Sequence, residues 1–454
     1  MSLRAAIDEY HALLATGDLA AESAGWLEEQ QRRRGLLFGG KPLCTVLRPR
    51  FLDPARYDHL RARLPIIMSA FARSHERALA DEGFRRQFRL ADWEERLIAP
   101  DPGFESASPL SRVDAFFQGG YHGGDPLDFR LTEYNAETPA GAVYSDVLTE
   151  VFWGMPVMRE FMRRRDVRPL PGAHNVLHSL LRAYRQWSGR NELPRIGILD
   201  WREVPTWAEF EFSAEYFKRQ GIDVVIGDPR EVEYQNGKLY VGSAPIDLIY
   251  KRVLIHELIE LGGVEHPIVR AVLDRAVCMV NPFRCKILHK KASLAVLSDE
   301  ANAHMFSGPE LEAIDTHVPW TRVVEERKTT YRGRQVDLID QIERAKDSLV
   351  LKPNDDYGGK GIVLGWQADT DTWRRAIATA LGQPYIVQER ITIPSEPYPA
   401  MRDGRLDVSD RIEDTAPYVF DGDYVDGLLS RLSTESLVNV TAGGGSSLPS
   451  MVVA

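Results

Sequence analysis

Four polar residues stand in two pairs, and three of them could hold a metal ion. Arg112 and Asp114 lie two apart in Ser111-Arg112-Val113-Asp114-Ala115-Phe116, and Glu133 and Asn135 lie two apart in Thr132-Glu133-Tyr134-Asn135. Val113, Ala115 and Phe117 alternate with Arg112, Asp114 and Phe116, which is the period of a strand. Phe129 to Asn135 reads as the returning strand, after a turn containing Gly119, Gly120, Gly123 and Gly124. Residues two apart on a strand share a face. An Asp, a Glu and an Asn facing one another supply three oxygen ligands, which suit magnesium better than zinc. The same residues would also make the polar outer face of an antiparallel sheet, with charges paired across the strands.

A second stretch could receive polyphosphate. Leu349-Val350-Leu351-Lys352 runs into a turn holding Gly358, Gly359, Lys360 and Gly361, and Ile362-Val363-Leu364 leaves it. Successive glycines let backbone N–H groups converge on one concave spot, and Lys352 and Lys360 add point charges beside it. Glycine and aspartate between two β-runs also mark an ordinary hairpin turn. Gly361 follows Lys360 where a Walker loop needs Ser or Thr, and these glycines build no G-x-G-x-x-G fingerprint. Phosphate binding here would take the form of a β-hairpin flap laid over a nucleotide.

Other constellations are incomplete. His256-Glu257 lacks a second histidine, because Glu260 stands four residues on. His174 and His178 are one helical turn apart without an evident third ligand, and read as a partly buried polar helix face. Cys278 and Cys285 read as small core residues. No Gly-x-Ser-x-Gly elbow is present.

The elements that must position these groups divide among several lobes, since 454 residues exceed what one hydrophobic core organises. Apolar content of 44% and charged content of 27% are those of a soluble globular protein. A net charge of −10 argues against a nucleic-acid partner. Three cysteines without a C-x-x-C pair fit a reducing compartment. Leu3, Ile7, Tyr10 and Leu14 recur at helical spacing, so the chain starts on an amphipathic helix rather than a signal peptide, and no apolar run reaches membrane-spanning length. A cytoplasmic protein with no membrane partner is expected; its oligomeric state is left open.

Residues 1–85 read as mostly helical, with a short strand at Thr45-Val46-Leu47 and a long helix from about Pro54. Arg32-Arg33-Arg34 suits a solvated helix end. Beyond Arg195 strands and helices alternate: Ile196–Leu199, a helix from Trp207 to Gln220, Asp223–Ile226, a hairpin about Asn236-Gly237, and Ile246–Tyr250. That order implies a parallel sheet with helices packed on it. Further on come helices after Lys291, over Arg334–Lys346 and over Thr370–Leu381. Tyr385–Glu389 is then a strand, and more strands fill 405–440. Asp407, Asp410, Glu413 and Asp414 read as a solvated acidic loop.

Several of these segments, in order, carry a family likeness. They are Ser111 to Phe116, Thr132 to Pro139 (with Glu137), Ile249-Tyr250-Lys251-Arg252 with Glu257, Asn281-Pro282, His289-Lys290-Lys291-Ala292, Lys352-Pro353 with its glycine turn, Tyr385 to Ile391, and Arg431 followed by Asn439 to Gly443. Together they resemble the ATP-grasp ligases, specifically the circularly permuted branch that includes glutathionylspermidine synthetase and eukaryotic-type glutathione synthetase. Glu137 stands where that branch has aspartate.

The resemblance implies an α/β protein with a circularly permuted ATP-grasp fold, an inserted doubly wound domain and a helical N-terminal region. Its expected divisions are a helical region over 1–105, an ATP-grasp part with the metal hairpin over 106–189, an α/β substrate domain over 190–282, a lid and nucleotide lobe over 283–395, and closing strands over 396–454. It implies ATP and Mg2+, an acyl phosphate, and amide formation between a small-molecule carboxylate (an amino acid or peptide) and an amine. Asp114, Glu133 and Asn135 would hold the metal, and Arg112 and Arg431 would steady the transferring phosphoryl group. Lys291, Lys352 and the loop Gly358, Gly359, Lys360 and Gly361 would contact phosphates, while adenine would lie along Gln388, Glu389, Arg390 and Ile391. A nucleotide-binding homologue without ligase activity and a small-molecule kinase on the same fold are the alternative readings.

Overall fold

A computed structural model of the chain describes residues 2–356, 358–434 and 445–454. A seven-stranded antiparallel sheet carries the hairpin of Arg112, Asp114, Glu133 and Asn135. Its order is Ser395–Arg402, Arg405–Glu413, Tyr424–Ser433, Ala416–Phe420, Leu110–Phe117 and Phe129–Asn135, with Ser446–Leu448 branching from Tyr424–Ser433. In the hairpin Arg112 faces Asn135 and Asp114 faces Glu133. The register then shifts so that Ala115 faces Leu131, which leaves Thr132 as a β-bulge.

The alternate residues of the hairpin go inward. Val113, Ala115, Phe117, Phe129, Leu131 and Tyr134 are buried against Tyr57, Leu60, Leu64, Ile67 and Phe71 of the helix Pro54–Ala80. That helix starts where the sequence says: Asp53 accepts the Arg56 N–H, and Pro54 occupies a first-turn position where no amide partner is lost.

The second sheet is parallel, in the order Cys278–Val280, Leu248–Lys251, Ile196–Leu199, Val224–Gly227. Its strands are apolar on both faces because helices cover both. Ala173–Ser188 and Trp207–Arg219 pack on one side, and Ile255–Gly262 and Pro267–Leu273 on the other. The third sheet holds the glycine turn. It is antiparallel, in the order Thr321–Val323, Tyr385–Glu389, Leu349–Pro353, Val363–Leu364. Trp373 and Ile377 of Thr370–Gly382, with Ile342 of Leu338–Arg344, fill its back.

Four sequence expectations are corrected. Thr45–Leu47 is not a strand: Cys44 and Thr45 spend their backbone groups on the side chains of Gln31 and Ser446, and the strand comes later, at Arg50–Leu52, parallel to Ser450–Val453. Ile246–Tyr250 is two strands, because Asp247 exchanges bonds with Arg195 and turns the chain from one sheet to another. Arg334–Asp337 is a strand paired with Lys328–Tyr331 about the left-handed Arg332-Gly333 turn, and the helix waits for Leu338, behind the cap Asp337. The acidic cluster is not a loop: Asp407, Asp410 and Glu413 lie on one strand, and Glu413 and Asp414 are buried among arginines. Asn439 to Gly443 lie outside the described residues. Among the described residues no helix is long and apolar enough to cross a membrane.

Candidate active site

The hairpin and the glycine turn meet at a cavity of about 180 Å³. Asp114, Glu133, Lys352, Gly358, Gly359, Gln388, Glu389, Arg390, Ile391 and Arg431 line it, joined by the apolar side chains of Phe116, Val350, Leu364, Trp366 and Ile393. Ten residues singled out in the sequence therefore share one space. Lys360 is exposed and does not line it. Gly361 serves the turn instead: its φ is +71°, and a Cβ there would sit 2.7 Å from the Pro353 ring.

Asp114 is held between two guanidinium groups. Arg112 Nε donates to Oδ1 at 2.7 Å and Nη2 to Oδ2 at 3.1 Å, while Arg431 Nη2 reaches Oδ2 at 2.7 Å. Burial works to raise this carboxyl, but the two arginines outweigh it and hold it well below the usual range. Asp414 anchors Arg431 in turn, accepting its backbone N–H at 2.7 Å and its Nε at 2.6 Å. Arg112 spends its remaining arm on the Ala140 carbonyl, at 2.9 Å.

Glu133 faces Asp114 from the next strand and pairs with Lys291 at 2.9 Å. Burial and the Asp114 charge push its carboxyl up, and Lys291 brings it below its ordinary value. Lys291 also donates to the Asp356 carbonyl at 2.7 Å, which ties the flap to the hairpin. The Asn135 amide nitrogen is buried without a hydrogen-bond partner. Asp114, Glu133 and the Asn135 carboxamide are oxygen-bearing groups of the kind magnesium takes, although Arg112 and Arg431 hold both Asp114 oxygens and Lys291 holds one of Glu133.

Lys352 reaches across from the flap strand. Its Nζ donates to Gln388 Oε1 at 2.7 Å and to the Thr132 carbonyl at 3.2 Å, the carbonyl that the β-bulge turns outward. Burial brings the ammonium down to about 8, against the pull of Glu133. Gln388 is fixed by donating to Thr321 Oγ1 at 3.1 Å.

A balanced ion cluster braces the flap from below. Glu137, fully buried, accepts from Lys286 at 3.1 Å and from the Ile255 N–H at 2.5 Å, with Lys251 at 3.5 Å. Asp355 accepts from Lys286 and Lys290, both at 2.7 Å, and Lys290 also meets Glu94 at 2.7 Å. Ligand atoms of Glu137, His289 and Asp355 fall within 4.8 Å of one another, but the lysines already occupy both carboxylates. His289 is pushed down to about 4 by burial and stays neutral. Replacing Glu137 with Gln leaves Lys286 and Lys251 undercompensated. The expected cost is about 3–5 kcal/mol, seen as a drop of roughly 5 °C or more in the thermal midpoint by scanning fluorimetry. An unchanged midpoint would refute this bracing role.

Asn281 joins the parallel sheet to the hairpin, its carboxamide bonding the Leu110 N–H and the carbonyls of Leu110, Ala136 and Glu137. Sequence reading missed Asp414, Asp355 and Lys286. Asp414 had one legible signal, the continuous apolar run Ala416–Phe420 just beyond it; the other two have no local signature. His174 and His178 lie on one helix but are exposed rather than partly buried. All three cysteines are free and buried, and burial pushes the Cys278 and Cys285 thiols up.

No family model and no curated protein matches the chain. Solved structures do resemble it. A glutathione synthetase-like effector from Globodera pallida, in its apo form, is 12% identical, with a TM-score of 0.60 over 95% of this chain and 96% of that one. A Methylobacillus flagellatus KT protein provisionally described as a gamma-glutamylcysteine synthetase is 11% identical, with a TM-score of 0.42 over 86% of this chain and 88% of that one. The first likeness shows the fold: a mixed α/β architecture shared with a glutathione synthetase-like protein.

Proposed function

We propose that this chain is an ATP- and magnesium-dependent carboxylate–amine ligase that forms an amide through an acyl phosphate. The observation that carries the proposal is one contact. Lys352 Nζ on the glycine flap bonds the Thr132 carbonyl on the metal hairpin, 220 residues away in sequence, and both line the cavity with Asp114 and Glu133. On this reading the fold is a circularly permuted ATP-grasp. Its parts are the helical region 1–105, the metal hairpin part 106–189, the α/β substrate domain 190–282, the lid and nucleotide lobe 283–395, and the closing strands 396–454.

In this proposal a substrate carboxylate oxygen attacks the γ-phosphorus of ATP, the bond to the ADP oxygen breaks, and an amine then displaces phosphate from the acyl carbon, losing one proton. Magnesium, when bound by Asp114, Glu133 and Asn135, supplies charge neutralisation across the phosphates. The protein's own share is alignment and charge. Lys352, Lys291 and the N–H groups of Gly358 and Gly359 would hold the polyphosphate, with Lys360 reaching it only from the rim. Arg431 and Arg112 would face the transferring group. Phe116, Val350, Leu364 and Ile393 supply apolar walls for a base laid along Gln388 to Ile391.

ADP release measured against a panel of amino acids and peptides, with and without amines, tests the reading. ADP production that needs both acid and amine supports it. Tight ATP binding with no turnover on any pair would leave a nucleotide-binding protein, and a phosphorylated acid that accumulates without amide would leave a kinase. Replacing Glu133 with Gln should raise the magnesium concentration for half-maximal turnover about 10- to 100-fold in protein that still folds, with a lowered thermal midpoint because buried Lys291 loses its carboxylate. Unchanged magnesium dependence would remove Glu133 from the metal set.

A further inference from the structure

Behind the cavity runs a buried chain of ion pairs that starts in the N-terminal region. Arg50 Nη1 bonds Glu413 Oε1 at 2.6 Å, each side chain 2% exposed, and the same nitrogen donates to the Asp414 carbonyl at 3.4 Å. Tyr398 fixes the other oxygen of Glu413 through its hydroxyl at 2.6 Å. Arg48 stacks on the Tyr398 ring at 4.0 Å and bonds Glu396 at 3.3 Å, and the Leu47 N–H reaches the Pro399 carbonyl at 2.7 Å. Residues 47–50 thus grip the strands Ser395–Arg402 and Arg405–Glu413 on their buried side. The next residue after that grip is Asp414, whose carboxylate sets the backbone and Nε of Arg431, and Arg431 reaches Asp114.

We infer that Arg50 is a positioning residue for Arg431, acting through Glu413 and Asp414, so that the N-terminal region sets the geometry of the phosphoryl-facing arginine. The inference rests on the proposed phosphate-binding role of the cavity for its functional consequence, and on the geometry alone for the coupling. Sequence offered no role for this region beyond helix. Arg50 does not touch the cavity; it fixes the backbone from which the Arg431 anchor hangs. The alternative is that Arg50 and Glu413 merely fill the core as a buried pair. Burial and the nearby Glu396 charge push the Glu413 carboxyl up, and Arg50 pulls it down.

The discriminating variant is the double substitution Arg50→Met with Glu413→Gln, which removes both buried charges together and spares the fold the burden of one left alone. Two readouts are taken on the full-length chain: a crystal structure of the variant, and calorimetric affinities for ATP and AMP, with Arg50→Lys in parallel. The expected structure has Arg431 Nη2 moved about 1 Å or more from Asp114, beyond hydrogen-bonding range. The expected affinities show the preference for ATP over AMP shrinking about fivefold or more at a thermal midpoint near the wild type's, with Arg50→Lys intermediate. An unmoved Arg431 overturns the inference, as does a retained ATP preference where the wild type has one. A wild type that prefers neither nucleotide counts against the ligase reading instead, and the position of Arg431 still decides the coupling.

Discussion

Replacing Lys352 with Met should weaken ATP binding about 30- to 150-fold, because a charged hydrogen bond to phosphate in a buried site is worth roughly 2–3 kcal/mol. Methionine keeps the length and packing of the stem and removes only the ammonium. The groups left behind, Gln388 Oε1 and the Thr132 carbonyl, border the cavity, where water can reach them. Adenosine, which lacks phosphate, should bind wild type and variant within about twofold. The pH dependence gives a second test. Burial holds Lys352 down to about 8, so the free protein carries the ammonium below that pH and loses it above. Bound polyphosphate favours the charged form and raises that value, so ATP affinity should be level below pH 8 and fall as pH rises through it, by up to about tenfold per pH unit. The variant should show a flat profile over the same range. Calorimetry between pH 7 and 9.5 reads both effects. Wild-type affinity in the variant, or a profile that falls in both proteins alike, would refute the phosphate role.

How far the sequence reaches follows from the range of each interaction. The hairpin was legible because its signal is local: a period of two places Arg112 with Asp114 and Glu133 with Asn135 on shared faces, although the pairing of Asp114 with Glu133 also needs the bulge between them and the turn. Ile196–Leu199 and Tyr385–Glu389 were legible for the same reason, as short apolar runs bounded by breakers. The bulge at Thr132 was not, since nothing in Leu131-Thr132-Glu133 marks the extra residue, yet it is the bulge that turns a carbonyl toward Lys352. Arg334–Asp337 misled because its charges and apolar spacing suit a helix, while the Arg332-Gly333 turn and the Asp337 cap, read together, specify a strand and then a helix. Least legible were the buried ion pairs. Arg431 and Asp114 are 317 residues apart, and Arg50 meets the carbonyl of Asp414 across 364. Each arginine alone looks like a surface residue, and only the folded sheet shows that its partner is buried with it.

Asp114 is where those long-range pairs converge, and Asp114→Asn should be the most damaging single change in the site. The expected loss in kcat/KM is about 10³-fold. Three effects act together. The amide replaces a charge that balances Arg112 and Arg431, leaving two buried guanidinium groups with only Asp414 between them. Its NH2 then faces a guanidinium donor, so one hydrogen bond becomes a donor–donor contact. The proposed metal set also loses one of its two carboxylates. Stability should fall by about 3–5 kcal/mol, since a buried pair is broken by removing one partner. Activity and fold are separable by measurement: manganese binding followed by electron paramagnetic resonance, at a temperature below the lowered midpoint, reads the metal site in protein that is still folded. The wild-type titration should show tight manganese and the variant should show mostly free ion. Asp114→Glu should restore the midpoint in part and the turnover little, because the longer side chain keeps the charge but moves both oxygens away from the Arg112 fork. If Asp114→Asn binds manganese like the wild type and loses turnover only in proportion to its unfolded fraction, then Asp114 is a structural counter-ion, and the catalytic metal must be sought elsewhere in the cavity.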